Sequence, residues 1–140
     1  MPTRASGTFL RRGLIAWLGL PPIAVANGLF REAALVPAVG ERAASVLTVL
    51  TFLGLAWPYA CLFLRWAGHL GAPRDLWLLG ACWTALAIAF EFAFFGLALG
   101  VPMGKLLQSY DISRGELWPI VLLGVLLAPR LMAAVCARSD

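Results

Sequence analysis

The chain has 140 residues, of which 61% are hydrophobic and only 13% charged, whereas an average soluble domain is about 45–50% apolar and roughly 25% charged. A soluble domain of this size has too much surface to hide that much apolar mass, so a water-soluble fold is excluded and lipid is the expected solvent. The net charge of +4 comes from 11 Lys+Arg against 7 Asp+Glu, and the basic residues lie between apolar runs, which fits an anionic lipid surface and argues against a nucleic-acid partner.

Crossing the ~30 Å hydrocarbon layer as a helix takes roughly 20 apolar residues. Four runs qualify, at about residues 13–30, 43–64, 76–101 and 117–137. The expected fold is therefore all-α: one integral membrane domain over residues 1–140, built as a four-transmembrane-helix bundle. No soluble domain fits between the runs.

The first run follows Arg11 and Arg12 and contains Ala24-Val25-Ala26, which resembles a signal-peptidase site. The apolar stretch continues past Ala26, so a retained helix is expected. Pro21-Pro22 removes two backbone donors near its middle and predicts a kink. The connection at residues 31–42 mixes charged and apolar residues and is expected to lie as a turn of helix on the membrane surface. The second run leads into a short Gly/Pro turn at residues 66–75, which holds the sole histidine, His69. The third run ends in Gly96-Leu97-Ala98-Leu99-Gly100, a spacing of small residues that lets helix backbones approach, within the bundle, in a homo-oligomer or in a larger membrane complex. Gly124 and Ala128 share a face of the fourth. Before that helix, Ser113 and Glu116 have capping-box spacing.

Arg4, Arg11, Arg12, Arg65, Arg74 and Arg138 fall on one side of such a bundle, and Arg31, Arg42, Lys105 and Arg114 on the other. Six against four places both termini in the cytoplasm. Trp66 and Trp77 then mark the inner interface, Tyr110 and Trp118 the outer one. Cys61, Cys82 and Cys136 each lie inside an apolar run without a Cys-x-x-Cys pair, which predicts buried free thiols. One histidine gives too little material for a zinc site, and no phosphate loop or nucleophile elbow is present, so no metal, cofactor or catalytic set is expected.

Glu91, in Phe90-Glu91-Phe92, stands out. It lies 15 residues past Leu76, about 22 Å from the inner boundary at 1.5 Å per residue. A bare carboxylate at such depth costs roughly 2.5–3.5 kcal/mol, so it must be protonated, paired or hydrated. Asn27 lies about 21 Å deep by the same arithmetic, with Arg31 one turn above it on the same face. Arg130 lies roughly 11 Å from the level of Glu91 and is expected to reach the inner headgroups. The expectation is a buried polar clamp, Asn27–Arg31–Glu91, joining the first and third helices.

The segments Asn27-Gly28…Arg31-Glu32, Phe90-Glu91-Phe92 and Leu106-Leu107…Tyr110…Gly115-Glu116-Leu117-Trp118 resemble a group of small, uncharacterised bacterial inner-membrane proteins. The likeness runs from residue 27 onward. It implies a bacterial cytoplasmic membrane and brings no activity with it. After the Leu-Leu pair that group is richer in Asp and Arg, whereas this chain has Ser109 and Glu116.

Three functions follow from these residues. The foremost is a non-enzymatic accessory subunit or scaffold held by the clamp. The second is a small transporter or proton-linked carrier using Glu91. The third is a lipid-acting enzyme with an outer-surface site of Glu32, Tyr110, Asp111 and Arg114.

Overall fold

A computed structural model describes residues 4–67 and 72–138, with side chains from Gly7 onward; His69 lies outside the described residues. Those residues form helices and turns, with no strand among them. Four spans are long and apolar enough to cross a membrane: Gly7–Val39, Glu41–Trp66, Pro73–Ala98 and Trp118–Arg138.

The first span begins earlier and ends later than expected. Helix α1 (Arg4–Trp17) and helix α2 (Leu20–Phe30) are separated by a tight turn at Leu18–Gly19. The cause sits one turn later. Pro21 and Pro22 have no N–H to offer the carbonyls of Trp17 and Leu18, so the helix breaks where those bonds are missing and the prolines fall in the first turn of α2. Neighbours satisfy the exposed backbone: the Tyr59 hydroxyl donates to Ala16 O at 2.5 Å.

Residues 31–39 are helical, as expected, but they continue the first helix rather than forming a separate connection. After Phe30 the helix widens into a π-type turn, Arg31–Leu35, in which the Val36 N–H reaches back to Arg31 O, and then continues as α3 (Val36–Val39). Pro37 cannot donate to the carbonyl four residues back, and the wider winding accommodates that gap. The only break before α4 (Glu41–Trp66) is Gly40, whose φ of +82° favours glycine.

Helix α5 (Pro73–Glu91) also ends in a wide turn, Phe92–Ala98, with the Leu99 N–H on Phe94 O at 3.0 Å. Gly100, φ +67°, stops it. Helix α6 (Met103–Gln108) and a short 3-10 turn (Ile112–Arg114) lead into α7 (Trp118–Arg138).

Helix α7 packs against both α4 and α5. The first span changes partner at its break: α1 packs on α5, whereas α2 packs on α4. Phe9, Trp17, Phe63, Leu79, Trp83 and Val125 belong to the buried core that results. Indoles stitch the backbones together. Trp17 Nε1 donates to Trp83 O at 3.1 Å, Trp83 Nε1 to Gly13 O at 2.8 Å, and Trp57 Nε1 to Gly124 O at 3.1 Å. Gly80 meets the Leu126 carbonyl so closely that an added Cβ would lie 2.1 Å from its oxygen. Gly124 faces the Leu53 side chain on α4, in keeping with a small-residue face. Gly96 sits under Leu106. Outward-facing Leu50, Leu62 and Leu97 (87% exposed) form the apolar belt that lipid would cover.

At the Trp66 end, Arg12 reaches Ala67 O at 3.4 Å and lies over the Trp66 ring at 5.4 Å, closing the C-terminus of α4. Trp66 and Trp77 are both exposed there. The cysteine expectation is corrected. Cys61 on α4 and Cys136 on α7 are brought together as a pair that forms a disulfide when oxidised, with Cα atoms 6.4 Å apart, whereas Cys82 has no such partner. Their separation of 75 residues hides the pairing from any local motif.

Candidate functional site

The change of partner at Gly19 leaves α2 unpaired with α5, and a cavity of about 670 Å³ fills the gap. Its floor and walls are apolar, including Trp17, Leu20, Phe52, Phe90, Phe94 and Val125. Polar groups gather at the Tyr110 end: Arg31, Glu32, Glu91, Ser109, Glu116 and Trp118. The wide turn Arg31–Leu35 starts at a residue that lines this end and Phe92–Ala98 directly follows Glu91, and such windings recur at functional sites.

Glu91 is the last residue of α5, only 8% exposed, and lines the cavity. Its carboxylate accepts the phenol of Tyr110 at 2.5 Å. Tyr110 is delivered by the fold-back of α6, whose buried Leu106 anchors it against Gly96, and its ring stacks on Phe92 at 6.1 Å. Burial pushes the Tyr110 phenol up to about 12, and the Glu91 carboxylate adds to the shift, so the hydroxyl remains a donor throughout the physiological range. The indole of Trp118 lies beside both groups, with its Nε1 buried and no well-aligned partner.

The expected clamp does not form. Asn27, 6% exposed, turns to α4: its Nδ2 donates to Thr48 O at 2.9 Å and its Oδ1 accepts from Thr51 Oγ1 at 2.7 Å. The Arg31 guanidinium pairs with Glu32 and, at 2.5 Å, with Glu41. The physical reason is the break at Gly19, which swings α2 onto α4 and carries Asn27 away from α5. Among the described residues no cationic side chain pairs with Glu91. Arg130 is half-buried on α7 and does not line the cavity.

The outer-surface set of Glu32, Tyr110, Asp111 and Arg114 is likewise dispersed. Glu32 holds Arg31 and Tyr110 points inward. Asp111 caps its own turn: Oδ1 accepts the Ser113 N–H at 3.0 Å and the Ser113 hydroxyl, and Oδ2 faces Arg114 Nε at 3.3 Å. Those hydrogen bonds, chiefly from Ser113, hold the Asp111 carboxyl below its usual range. Ser113 therefore serves Asp111, well before α7 opens at Trp118, and the expected Ser113–Glu116 capping box is not its role. Tyr110 and Trp118, expected as interface markers, are both half-buried at the cavity. Sequence reasoning does not single out Thr48 and Thr51. Thr51 is three residues from Thr48, one helical face offering two polar groups to a neighbour, and this was the available signal.

The site is thus a buried carboxylate in an apolar cavity, held by a neutral phenol and flanked by the Trp118 indole. In comparisons with known proteins, no family model matches the chain, and no curated protein or solved structure shows significant similarity to it.

Proposed function

We propose that this is a small multi-pass carrier of the bacterial cytoplasmic membrane, with both termini inside and Glu91 as its proton- or cation-exchanging group. The observation that carries the reading is the environment of Glu91. It is buried, it faces a cavity, and its bonded partner is a phenol with no positive charge to offer. A carboxylate so placed is relieved by taking a proton or by taking a cation, and the two compete for one site. A volume of about 670 Å³ falls within the roughly 300–1,000 Å³ of small-molecule sites. The orientation rests on the excess of arginine at the Trp66 end, and it turns the cavity's polar end to the outer leaflet.

The clamp that accompanied the scaffold reading has its three side chains bonded elsewhere, and the surface set of the enzyme reading is dispersed, so neither carries as much support as the cavity at Glu91. Proteoliposomes containing a pH-sensitive dye test the carrier. Wild type should dissipate an imposed pH gradient when a carried cation is supplied, and folded Glu91→Gln should not. Equal rates in the two proteins, or rates no faster than empty liposomes, would reject it.

A further inference from the structure

The cavity's shape and charge specify its ligand class. Four ionisable side chains line it: Arg31, Glu32, Glu91 and Glu116. The one cation among them is already occupied by Glu32 and by Glu41 outside the cavity. What remains for a ligand at the polar end is acidic, which disfavours a net anionic ligand and suits a positive nitrogen or phosphorus centre. Below it the walls are aromatic, with Trp17, Phe90, Phe94, Phe95 and Trp118 all on the lining. Ring faces attract a desolvated cation through their quadrupoles.

The route of access is also fixed. The rim of the cavity carries Val25, Leu29, Phe95 and Leu99, all exposed large apolar residues, and no close packing seals α2 against α5 between them. An opening edged by such side chains faces hydrocarbon. A ligand entering there must itself partition into lipid.

We propose that the cavity binds an amphiphilic organic cation, which enters from the bilayer between α2 and the third span, seats its positive group at Glu91 and lays its apolar body on the aromatic wall. This rests on the carrier reading for Glu91 as exchanging group, but binding can be measured without flux. The shared chemistry is a positive nitrogen or phosphorus on an apolar body. Its source is either an amine-headed lipid of the same membrane or a lipophilic cation arriving from outside.

The test uses full-length protein in phosphatidylglycerol nanodiscs, whose headgroup carries no positive nitrogen, with empty discs as background. The probe is labelled tetraphenylphosphonium, and tetraphenylborate is the competitor of equal size and opposite charge. Saturable binding to wild type, competition by unlabelled tetraphenylphosphonium but not by tetraphenylborate, and at least tenfold weaker binding by Glu91→Gln are expected. Leu29→Trp changes an exposed lip residue outside the core and should lower probe binding while leaving the fold intact, which guards against misfolding of the Glu91 variant. Repeating the titration in discs containing phosphatidylethanolamine assigns the source: weaker probe binding indicates a lipid occupant, unchanged binding a free cation, and both support the class. Equal competition by tetraphenylborate, or undiminished binding by Glu91→Gln, overturns it. Probe binding without any flux would reject the carrier and keep the ligand class. Proton flux without probe binding would do the reverse.

Discussion

The Tyr110 phenol donates to the Glu91 carboxylate across 19 residues of sequence and thereby pins the loop after α6 to the end of α5. A hydrogen bond to a charged or strongly polar acceptor is worth about 1.5–3 kcal/mol. Tyr110→Phe removes it while keeping the ring stacked on Phe92. The fold-back carries two exposed trypsin sites, Lys105 on α6 and Arg114 in the loop after it. Cleavage at these sites should become several-fold faster in Tyr110→Phe, with the rest of the bundle unaffected. Unchanged cleavage would show that the bond does not hold the loop.

The same phenol gives a spectroscopic signature. The chain has two tyrosines, Tyr59 and Tyr110, so Tyr59→Phe leaves Tyr110 as the only phenol. Its folded pKa of about 12 stands above the ordinary 10, because burial and the neighbouring carboxylate both disfavour phenolate. The sign follows: the stabilisation is complete below pH ~10, where folded and unfolded phenols are both protonated, and is lost as pH rises from ~10 to ~12. Absorbance at 295 nm should titrate near 12 in the folded Tyr59→Phe protein and near 10 once unfolded. A midpoint of 10 in the folded protein would contradict the buried site.

The bundle's middle depends on a reciprocal pair. Trp17 donates to the backbone of Trp83, and Trp83 to that of Gly13. Trp83→Phe leaves the Gly13 carbonyl without its indole donor and removes part of a side chain that is 1% exposed. Interhelical hydrogen bonds in membranes contribute about 0.6–2 kcal/mol, and the lost volume adds to that. Destabilisation of roughly 2–3 kcal/mol is expected in detergent unfolding. A change under about 0.5 kcal/mol would count against the exchange.

Much of this architecture is legible in sequence, and the failures have a common physical origin. Run length and composition locate all four spans, because lipid demands them. Depth arithmetic places Asn27 and Glu91 at one level, but level says nothing about rotation around the bundle, and the turn at Gly19 rotates α2 toward α4. Glu91 is recognisable as anomalous from its apolar neighbours alone. Its partner is not, because the fold-back of α6 that brings Tyr110 inward has no local signature. The two prolines predict a disruption in the first helix but not the cavity it opens.

Glycines show the same limit. The Gly96–Gly100 spacing suggests helix packing, yet Gly96 lies under Leu106 and Gly100 terminates the span. The tight approach is at Gly80, which belongs to no motif. Gly80→Ala forces a Cβ against the Leu126 backbone, which cannot swing aside. The third and fourth spans must separate, at a cost of about 1–3 kcal/mol. Gly54→Ala, with nothing within 4 Å of its new Cβ, should be neutral or up to about 1 kcal/mol stabilising. Thermal unfolding of the two variants side by side checks the contrast. Equal stabilities would mean that α5 and α7 are not in close backbone contact.

The cysteine pair tests packing and orientation together. Cα atoms 6.4 Å apart lie within the roughly 4.4–6.8 Å that a disulfide spans, so Cys61 and Cys136 should link readily once oxidised. Both lie toward the Trp66 end of their helices, the end proposed to face the cytoplasm, where thiols are kept reduced. Acid-quenched cells treated with maleimide in denaturant should therefore give three labelled cysteines. After purification in air and oxidation, only Cys82 should label, with reductant restoring the other two. A pair already blocked in intact cells would place the Trp66 end outside and reverse the proposed orientation. A pair that never links under oxidant would instead separate α4 from α7, and with them the helices that frame the cavity.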